Sequence, residues 1–272
     1  GNLVLWEGRM RQLFFCLLLV GLVYAVVGCA VLGSTGTVVR SEVPYETNPA
    51  ATAAEKATLT AGNSAFAFDL YHELQEGEGN LFFSPYSISA ALGMTYAGAR
   101  GETEEEMAET LHFDLPQEQL HPAFNAVNSA LQTAQEETPE EAFRLHIANA
   151  VWAQEGYAFR PEFLDTLSRN YDAGVRVVDF AQATEAARQA INRWAEKETD
   201  GKIEELIGTG ILNDLTRLVL TNAVYFKAKW DRPFEPTDTY QQPFYLLRGG
   251  EVMVQMMHQT EYLPYAEAEG MQ

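Results

Sequence analysis

The residue types that could carry catalytic or metal chemistry are few and scattered along this sequence. Its histidines show no spacing typical of metal ligands; they are His72, His112, His121, His146 and His258. The sequence holds no Gly-x-Ser-x-Gly elbow, no glycine-rich phosphate-binding loop and no His-Glu-x-x-His pair. We therefore expect the histidines on the surface or in strands, and we predict no enzyme activity, no metal and no cofactor.

Both cysteines, Cys16 and Cys29, lie in an apolar region near the start of the sequence. A basic residue precedes the apolar segment Leu13–Val27, and a small residue followed by Cys29 ends it, which is the layout of a secretory signal. We therefore expect export to the extracellular space or the cell envelope. No cysteine follows Cys29, so we expect the folded part to depend on its core rather than on disulfides.

The four residues Val26 to Cys29 resemble the lipobox of bacterial lipoproteins, in which the cysteine thiol receives a diacylglycerol group. On this interpretation Cys29 is the lipidation site, and the membrane is a partner only through this anchor. Two alternatives stay open: a soluble secreted protein cut nearby, or an uncleaved anchor, since residues 13–32 could just span a bilayer. We assign 1–32 to this leader or anchor, and 33–60, rich in Ser, Thr, Ala and Pro, to a flexible linker.

The composition is that of an ordinary globular chain with a strong negative charge. Of its 272 residues, 47% are hydrophobic and 21% are charged, enough for one large domain or two modest ones. Asp and Glu number 38 against 18 Lys and Arg, so the net charge is -20. Such a field repels phosphate backbones and anionic headgroups, and we predict no nucleic-acid partner.

Helical spacing and capping residues predict the helices of the folded part. Apolar residues on one face predict a first helix from about Asn63. Ser84 offers an N-cap oxygen and Pro85 a first helical residue for a second helix, whose uncharged body should be buried on nearly all sides. Thr103 and Glu106 form a capping-box pattern that predicts the start of a third helix.

Runs of β-branched, aromatic and small apolar residues predict the strands that must position any site. They are 80–83, 145–152, 175–180 and 218–226. The last has so little polar alternation that we expect it to be buried on both faces, in the centre of a large sheet. Strands and helices alternate without a strict repeat, which indicates an α+β fold with a large mixed sheet packed with helices.

Several stretches of this sequence resemble the serpin family, and the order and spacing of that family hold over some two hundred residues. The stretches are Asn80–Leu92, Gly98–Thr103, Trp194–Ile203 and Leu218–Trp230 with Pro233 and Phe234. The resemblance implies a serpin-like domain over residues 61–272. The family's reactive loop lies near its C terminus, so we expect that part of the fold to fall beyond Gln272, and the reactive bond stays unknown.

The resemblance implies a suicide inhibitor of serine proteases. Cysteine proteases are a second class of target that the resemblance allows. In this mechanism a protease attacks an exposed loop, and the cut loop inserts into the main sheet as a new strand before the acyl-enzyme is hydrolysed. The energy comes from a native state that is kinetically trapped above the inserted one. A second hypothesis stays open, a non-inhibitory member of the fold that serves as a binding or scaffold lipoprotein.

The resemblance also implies roles for four residues. Ser84, Ser87 and Asn222 match a polar cluster beneath the centre of the sheet, where short hydroxyl and amide groups can exchange hydrogen bonds as strands part. Trp230 matches the aromatic residue at the top of the sheet, near the start of insertion. Structural alternatives are a helix cap for Ser84, helix packing for Ser87 and a core position for Trp230. Thr221 and Asn222 should lie on opposite faces of their strand.

Overall fold

The computed structural model describes residues 36–75, 79–136, 138 and 143–262. The predicted leader, 1–32, and its Cys29 lie outside the described residues. In the described part, four helices follow the first strand, and helices and strands then alternate from the second strand to the fourth. In chain order they are β1 (Thr37–Val39), α1 (Ala53–Leu74), α2 (Pro85–Tyr96), α3 (Glu102–Leu111), α4 (Gln117–Glu136), β2 (Phe143–Gln154), α5 (Pro161–Tyr171), β3 (Val175–Val178), α6 (Phe180–Glu198), β4 (Leu218–Ala228), β5 (Thr239–Tyr245) and β6 (Glu251–Met257).

The main sheet is mixed and has the strand order β1-β3-β2-β4 in the described residues. β3 runs antiparallel to β1 and parallel to β2, and β2 and β4 form a long antiparallel ladder in which Asn149 lies opposite Asn222. β5 and β6 form a separate antiparallel hairpin. This combination of a mixed sheet with packed helices agrees with the predicted α+β fold class.

Helices cover both faces of the main sheet. Successive side chains of β2 point to opposite faces, and each set is buried against a different group of helices. Ala150 and Trp152 are buried against α6 in one apolar cluster. Val151 and Ala153 are buried on the other face, in a cluster that includes Met94 of α2 and residues of α5. A third cluster joins α1, α2, α3 and α4 behind that layer. The sheet is therefore the middle layer of three.

From residue 36 onward, the predicted linker 33–60 is structured rather than flexible. This part contains β1, an extended stretch and the first turns of α1. Thr52 caps α1: its hydroxyl accepts from the Glu55 amide at 3.2 Å, and the Glu55 carboxylate accepts from the Thr52 amide at 2.7 Å. The helix therefore begins ten residues before Asn63, where the sequence pattern placed it, because this capping box and the alanines behind it favour helix.

Two other local predictions differ from the structure. Residues 80–83 are not a buried strand: they form a connecting segment in which the Phe82 side chain is 82% exposed. This segment pairs with no strand among the described residues. The third helix begins at Glu102 with Gly101 as its N-cap, at φ +63°, so Thr103 lies within the helix rather than capping it. The Ser84 cap and Pro85 at the start of α2 are confirmed.

The strand predicted at the centre of the sheet, 218–226, is its edge strand among the described residues. β4 pairs only with β2 there, and its other backbone edge faces no described strand. Thr221 and Ala223 are buried on the face that packs against α6, whereas Leu218 and Phe226 near its ends are exposed. The strand has few polar residues, which predicts burial along its whole length, but only its middle is buried.

None of the helices in the described ranges is both long enough and apolar enough to cross a bilayer. This finding covers the folded part and does not extend to the leader.

One histidine is buried, contrary to the expectation that the histidines lie on the surface or in strands. His121 lies in α4, and its Nδ1 is 2.7 Å from the hydroxyl of Tyr171. Its Nε2 is buried and has no hydrogen-bond partner. Burial and, second, the positive charge of Arg100 lower the pKa of His121 to about 4. The ring is therefore neutral in the folded protein at neutral pH.

This buried ring should make stability depend on pH. In the unfolded chain a histidine titrates near pH 6.5, so between pH 6.5 and 4 the unfolded chain binds a proton that the folded protein does not. We expect about 3 kcal/mol of unfolding free energy to be lost across this window as the pH falls. Urea unfolding of the wild type and His121→Gln at several pH values measures it, because glutamine does not titrate. The exposed His72→Gln is the control, and equal pH slopes in all three proteins would contradict the assignment.

Candidate functional site

The candidate site lies where α2 crosses the face of the main sheet opposite α6. Ser84 and Pro85 set the start of this helix: the Ser84 hydroxyl accepts from the Ser87 amide at 3.4 Å. The helix body is rich in small residues, which allows a close approach to its neighbours. At Gly93, for example, an added Cβ would lie 3.0 Å from the Tyr171 hydroxyl.

Asn222 of β4 connects the sheet to this helix through its side-chain amide. Its Nδ2 donates to the Ser87 carbonyl oxygen at 3.3 Å and to the Ser87 hydroxyl. The same Nδ2 also lies 2.6 Å from Oδ1 of Asn149 in the neighbouring strand. Ser87 is fully buried. Burial of a hydroxyl without a hydrogen-bond partner is unfavourable, and for Ser87 the strand amide supplies a partner.

The structure brings together two of the three residues predicted as a polar cluster. Ser87 and Asn222 meet, whereas in the described part of the chain Ser84 bonds to the start of its own helix and makes no side-chain bond to the sheet. Asn149 is a further member that sequence reasoning missed. A signal was present: Asn149 lies in the middle of a predicted strand, between two alanines, where an unbonded amide would be unfavourable.

The opposite face of β4 carries a second polar contact. The Thr221 hydroxyl accepts from Trp152 Nε1 at 2.9 Å, and the Trp152 ring packs edge-to-face on Trp194 of α6 with centroids 6.0 Å apart. Thr221 and Asn222 therefore lie on opposite faces of the strand, as predicted. α6 contacts the sheet through an apolar cluster that contains both tryptophans. α2 contacts it through the apolar side chain of Met94 and, in addition, through the amide and hydroxyl groups at Asn222.

Trp230 lies two residues beyond the end of β4. Its side chain is 62% exposed and contacts Phe234 edge-to-face, with ring centroids 5.3 Å apart. Among the described residues, Trp230 therefore does not lie in a core. The residue lies just past one end of the sheet, and its part in loop insertion stays a prediction.

The chemistry of the site is that of neutral hydrogen-bonding groups. Its members are amides and hydroxyls, which can exchange donors and acceptors but offer no general acid, base or nucleophile of perturbed pKa. Among the described residues no group of three or more acidic or histidine side chains comes together to hold a metal ion. A cavity of about 520 Å³ lies beside the cluster, between β2, α4 and the end of α5, and Asn149 lines it.

Two serines of α2 provide a matched test of this geometry. Ser87 and Ser89 are both fully buried, yet the Ser89 hydroxyl has no hydrogen-bond partner. We expect Ser87→Ala to lower the unfolding free energy by about 1 kcal/mol, because Asn222 loses an acceptor. Ser89→Ala should leave it unchanged or raise it, because an unsatisfied buried hydroxyl is removed. Urea unfolding midpoints of the two variants compare them directly, and equal losses would contradict the proposed contact.

Comparison with known proteins gives one consistent result. A family profile described as Serpin (serine protease inhibitor) matches residues 61–272. A leukocyte elastase inhibitor of Sus scrofa is 39% identical over 209 residues, which are 76% of this chain and 54% of that protein. An uncharacterized serpin-like protein of Thermococcus kodakarensis is 43% identical over 220 residues, or 80% of this chain and 49% of that one.

Solved structures agree with these sequence matches. Emu ovalbumin superposes with a TM-score of 0.67 at 30% identity, covering 74% of this chain and 55% of that one. An Arabidopsis serpin in its native stressed conformation gives a TM-score of 0.66 at 27% identity, covering 77% and 53% respectively. The chain thus spans about half the length of the relatives it matches. The profile match over most of the sequence, together with the mixed sheet packed between helices, confirms the resemblance: the chain belongs to the serpin family.

Proposed function

We propose that the protein to which this chain belongs is a suicide inhibitor of serine proteases that acts outside the cytoplasm by inserting a cleaved reactive loop into its main sheet. Family membership supports this proposal, and so do the relatives named leukocyte elastase inhibitor. We assign no scissile bond to any residue of this chain. Cysteine proteases are a second class of partner under the same mechanism.

The observation that carries the proposal is the contact of Asn222 with Ser87. Loop insertion requires the sheet to change its position on the helices behind it, so groups at that interface must separate and pair again. Hydrogen bonds between neutral amide and hydroxyl groups are suited to this role, because each group can exchange one partner for another at a small net free-energy difference. An interlocked apolar interface would instead have to open cavities.

The proposed reaction begins as ordinary proteolysis. The protease serine oxygen attacks the carbonyl carbon of the scissile bond, the C–N bond breaks, and the amine leaves with a proton from the protease histidine. The loop is then joined to the protease as an ester. Insertion of the freed loop into the sheet displaces the protease before water hydrolyses this ester, so both proteins remain linked. The protease therefore completes only part of one turnover, in which the inhibitor is the substrate.

A covalent complex is the result to expect from the full-length protein. Incubation with elastase, chymotrypsin and subtilisin, followed by a denaturing gel, should show a new band for at least one protease. Its mass should be the sum of the two proteins less the segment released after the cleaved bond, and activity should be lost at about one inhibitor per enzyme. Protease whose active-site serine has been blocked beforehand is the control, and it should give no such band. If no protease loses activity at any ratio, the inhibitory proposal is wrong, and the alternative of a non-inhibitory binding or scaffold protein replaces it.

We also propose that the protein is exported and held at the membrane by lipid on Cys29. The support is the order of basic residue, apolar segment, small residue and cysteine in the leader, which lies outside the described residues. The proposed site of action is therefore the cell envelope or its surroundings, where the target would be a foreign or self-secreted protease.

The two cysteines offer a direct test of the anchor. Expressed in a bacterium that processes lipoproteins and grown with an alkyne-labelled fatty acid, the wild type and Cys16→Ser should incorporate label, whereas Cys29→Ser should not. Labelling is measured after fluorophore coupling on a denaturing gel. An unlabelled wild-type protein, or label that persists in Cys29→Ser, would refute lipidation at this residue.

A further inference from the structure

Residues 36–49, which we call the strap, cross from the edge of the main sheet onto two helices behind it. The strap begins as β1, continues as an extended chain, and ends shortly before α1. It contacts β3, α5 and α4 in turn, although more than a hundred residues separate it from β3 in sequence. These contacts hold the strap at defined positions on one strand and two helices.

On the sheet side, the strap adds a strand to β3. Val38 lies opposite Arg176 in this antiparallel ladder. The close approach depends on Gly174, where an added Cβ would lie 2.7 Å from the Val39 carbonyl oxygen and 3.0 Å from Cγ1 of Val38. The nearest atoms to that added carbon all belong to the strap. Glycine at this position therefore makes room for the strap.

On the helix side, the strap binds α5 through side chains. Arg40 Nε donates to the Ser168 hydroxyl at 3.3 Å, and the Arg40 guanidinium forms an ion pair with Asp172 at the end of the helix. The Ser168 hydroxyl, fully buried, in turn donates to the Val43 carbonyl oxygen at 2.6 Å. Ser41 donates to the Asp165 carboxylate.

The far end of the strap joins α5 to α4. The fully buried Asn125 of α4 donates to the Glu46 carbonyl oxygen at 2.8 Å and to the Arg169 carbonyl oxygen at 3.2 Å. The Tyr45 hydroxyl donates to Asn125 Oδ1 at 2.7 Å, and the Glu46 amide donates to the Arg169 carbonyl oxygen at 2.9 Å. Each hydrogen-bonding group of the Asn125 side chain therefore has a strap residue as one of its partners.

Beneath the strap, the sheet and α4 are separated by the cavity of about 520 Å³, which Tyr45, Asp172 and Asn149 line. This space is partly open to the surface, and across it the sheet and α4 share less apolar contact than a filled core would supply. The cavity extends from the strap to Asn149, which bonds to Asn222 of the polar cluster. Strap and cluster thus lie at two sides of one weakly packed region.

We propose that the strap is an intramolecular clamp that resists movement of β3 and β2 over α4 and α5, and so slows conversion of the sheet to its strand-inserted form. The proposal rests on the proposed function for the direction of that conversion. A sheet that shifts on these helices must either carry the strap away from α5 and α4 or break the ladder with β3. Either event breaks several hydrogen bonds, two of which involve the fully buried side chains of Ser168 and Asn125.

Two variants of the full-length protein release the strap by different routes. Gly174→Ala pushes on Val38 and Val39 without removing any strap contact, and the double variant Arg40→Ala with Tyr45→Phe removes contacts without crowding. Gly208→Ala, where an added Cβ meets only Ile211 at 4.0 Å, and Glu42→Ala, an exposed strap residue, are the matched controls.

Hydrogen exchange and conformational conversion are then measured on the same samples. Amides of Thr37–Val39 and of Glu46 should exchange about tenfold faster in both release variants than in both controls. Conversion to a more stable monomeric form, followed by native gel and thermal unfolding after incubation near 40 °C, should accelerate by about fivefold or more. Faster exchange with an unchanged conversion rate would overturn the clamp proposal. Unchanged exchange in both release variants would show that these contacts do not hold the strap, and this result would overturn the proposal as well.

These readouts do not depend on any protease, so a failure of the clamp and a failure of the inhibitory function can be told apart. A protein that inhibits no protease but converts faster when the strap is released retains the clamp. A protein that inhibits proteases with the same conversion rate in all variants retains the function and lacks the clamp.

Discussion

The amide of Asn222 links the two layers on which this architecture depends. An asparagine in the middle of a strand is unfavourable in an apolar layer unless its side chain is bonded, and α2 supplies the partner because its first turn presents Ser87 to the sheet. The small residues of α2 bring helix and strand close enough for that bond. The short side chains of α2 therefore set both the distance between helix and sheet and the position of the Asn222–Ser87 hydrogen bond. Sliding of the sheet over the helix would break this bond.

The two faces of the sheet are held in different ways. On one face, Trp152 and Trp194 belong to an apolar cluster that joins α6 to β2 and β4, so this helix and the sheet form one packed unit. On the other face, the contacts include the polar cluster near β4 and the strap at β3, with a cavity between them. An interface held partly by hydrogen bonds at its margins is a natural plane along which such a molecule rearranges.

Sequence reasoning succeeded where structure is determined locally and where the family pattern is long. The cap at Ser84 needs only its own neighbours, and the opposite faces of Thr221 and Asn222 follow from strand geometry. The edge position of β4 depends on which strands lie beside it, which periodicity along one strand does not encode. The strap was missed because its partners lie far away in sequence: a polar composition typical of linkers also fits an extended segment whose side chains bond to helices.

Docking of residues 36–49 also limits how far the body can move from any attachment point before it. Only residues 30–35 separate Cys29 from the first described residue, and even fully extended this connection spans about 25 Å. For a chain attached to a bilayer at Cys29, β1 would stay within about 25 Å of the attachment point. The folded body of such a chain would therefore work close to the membrane surface.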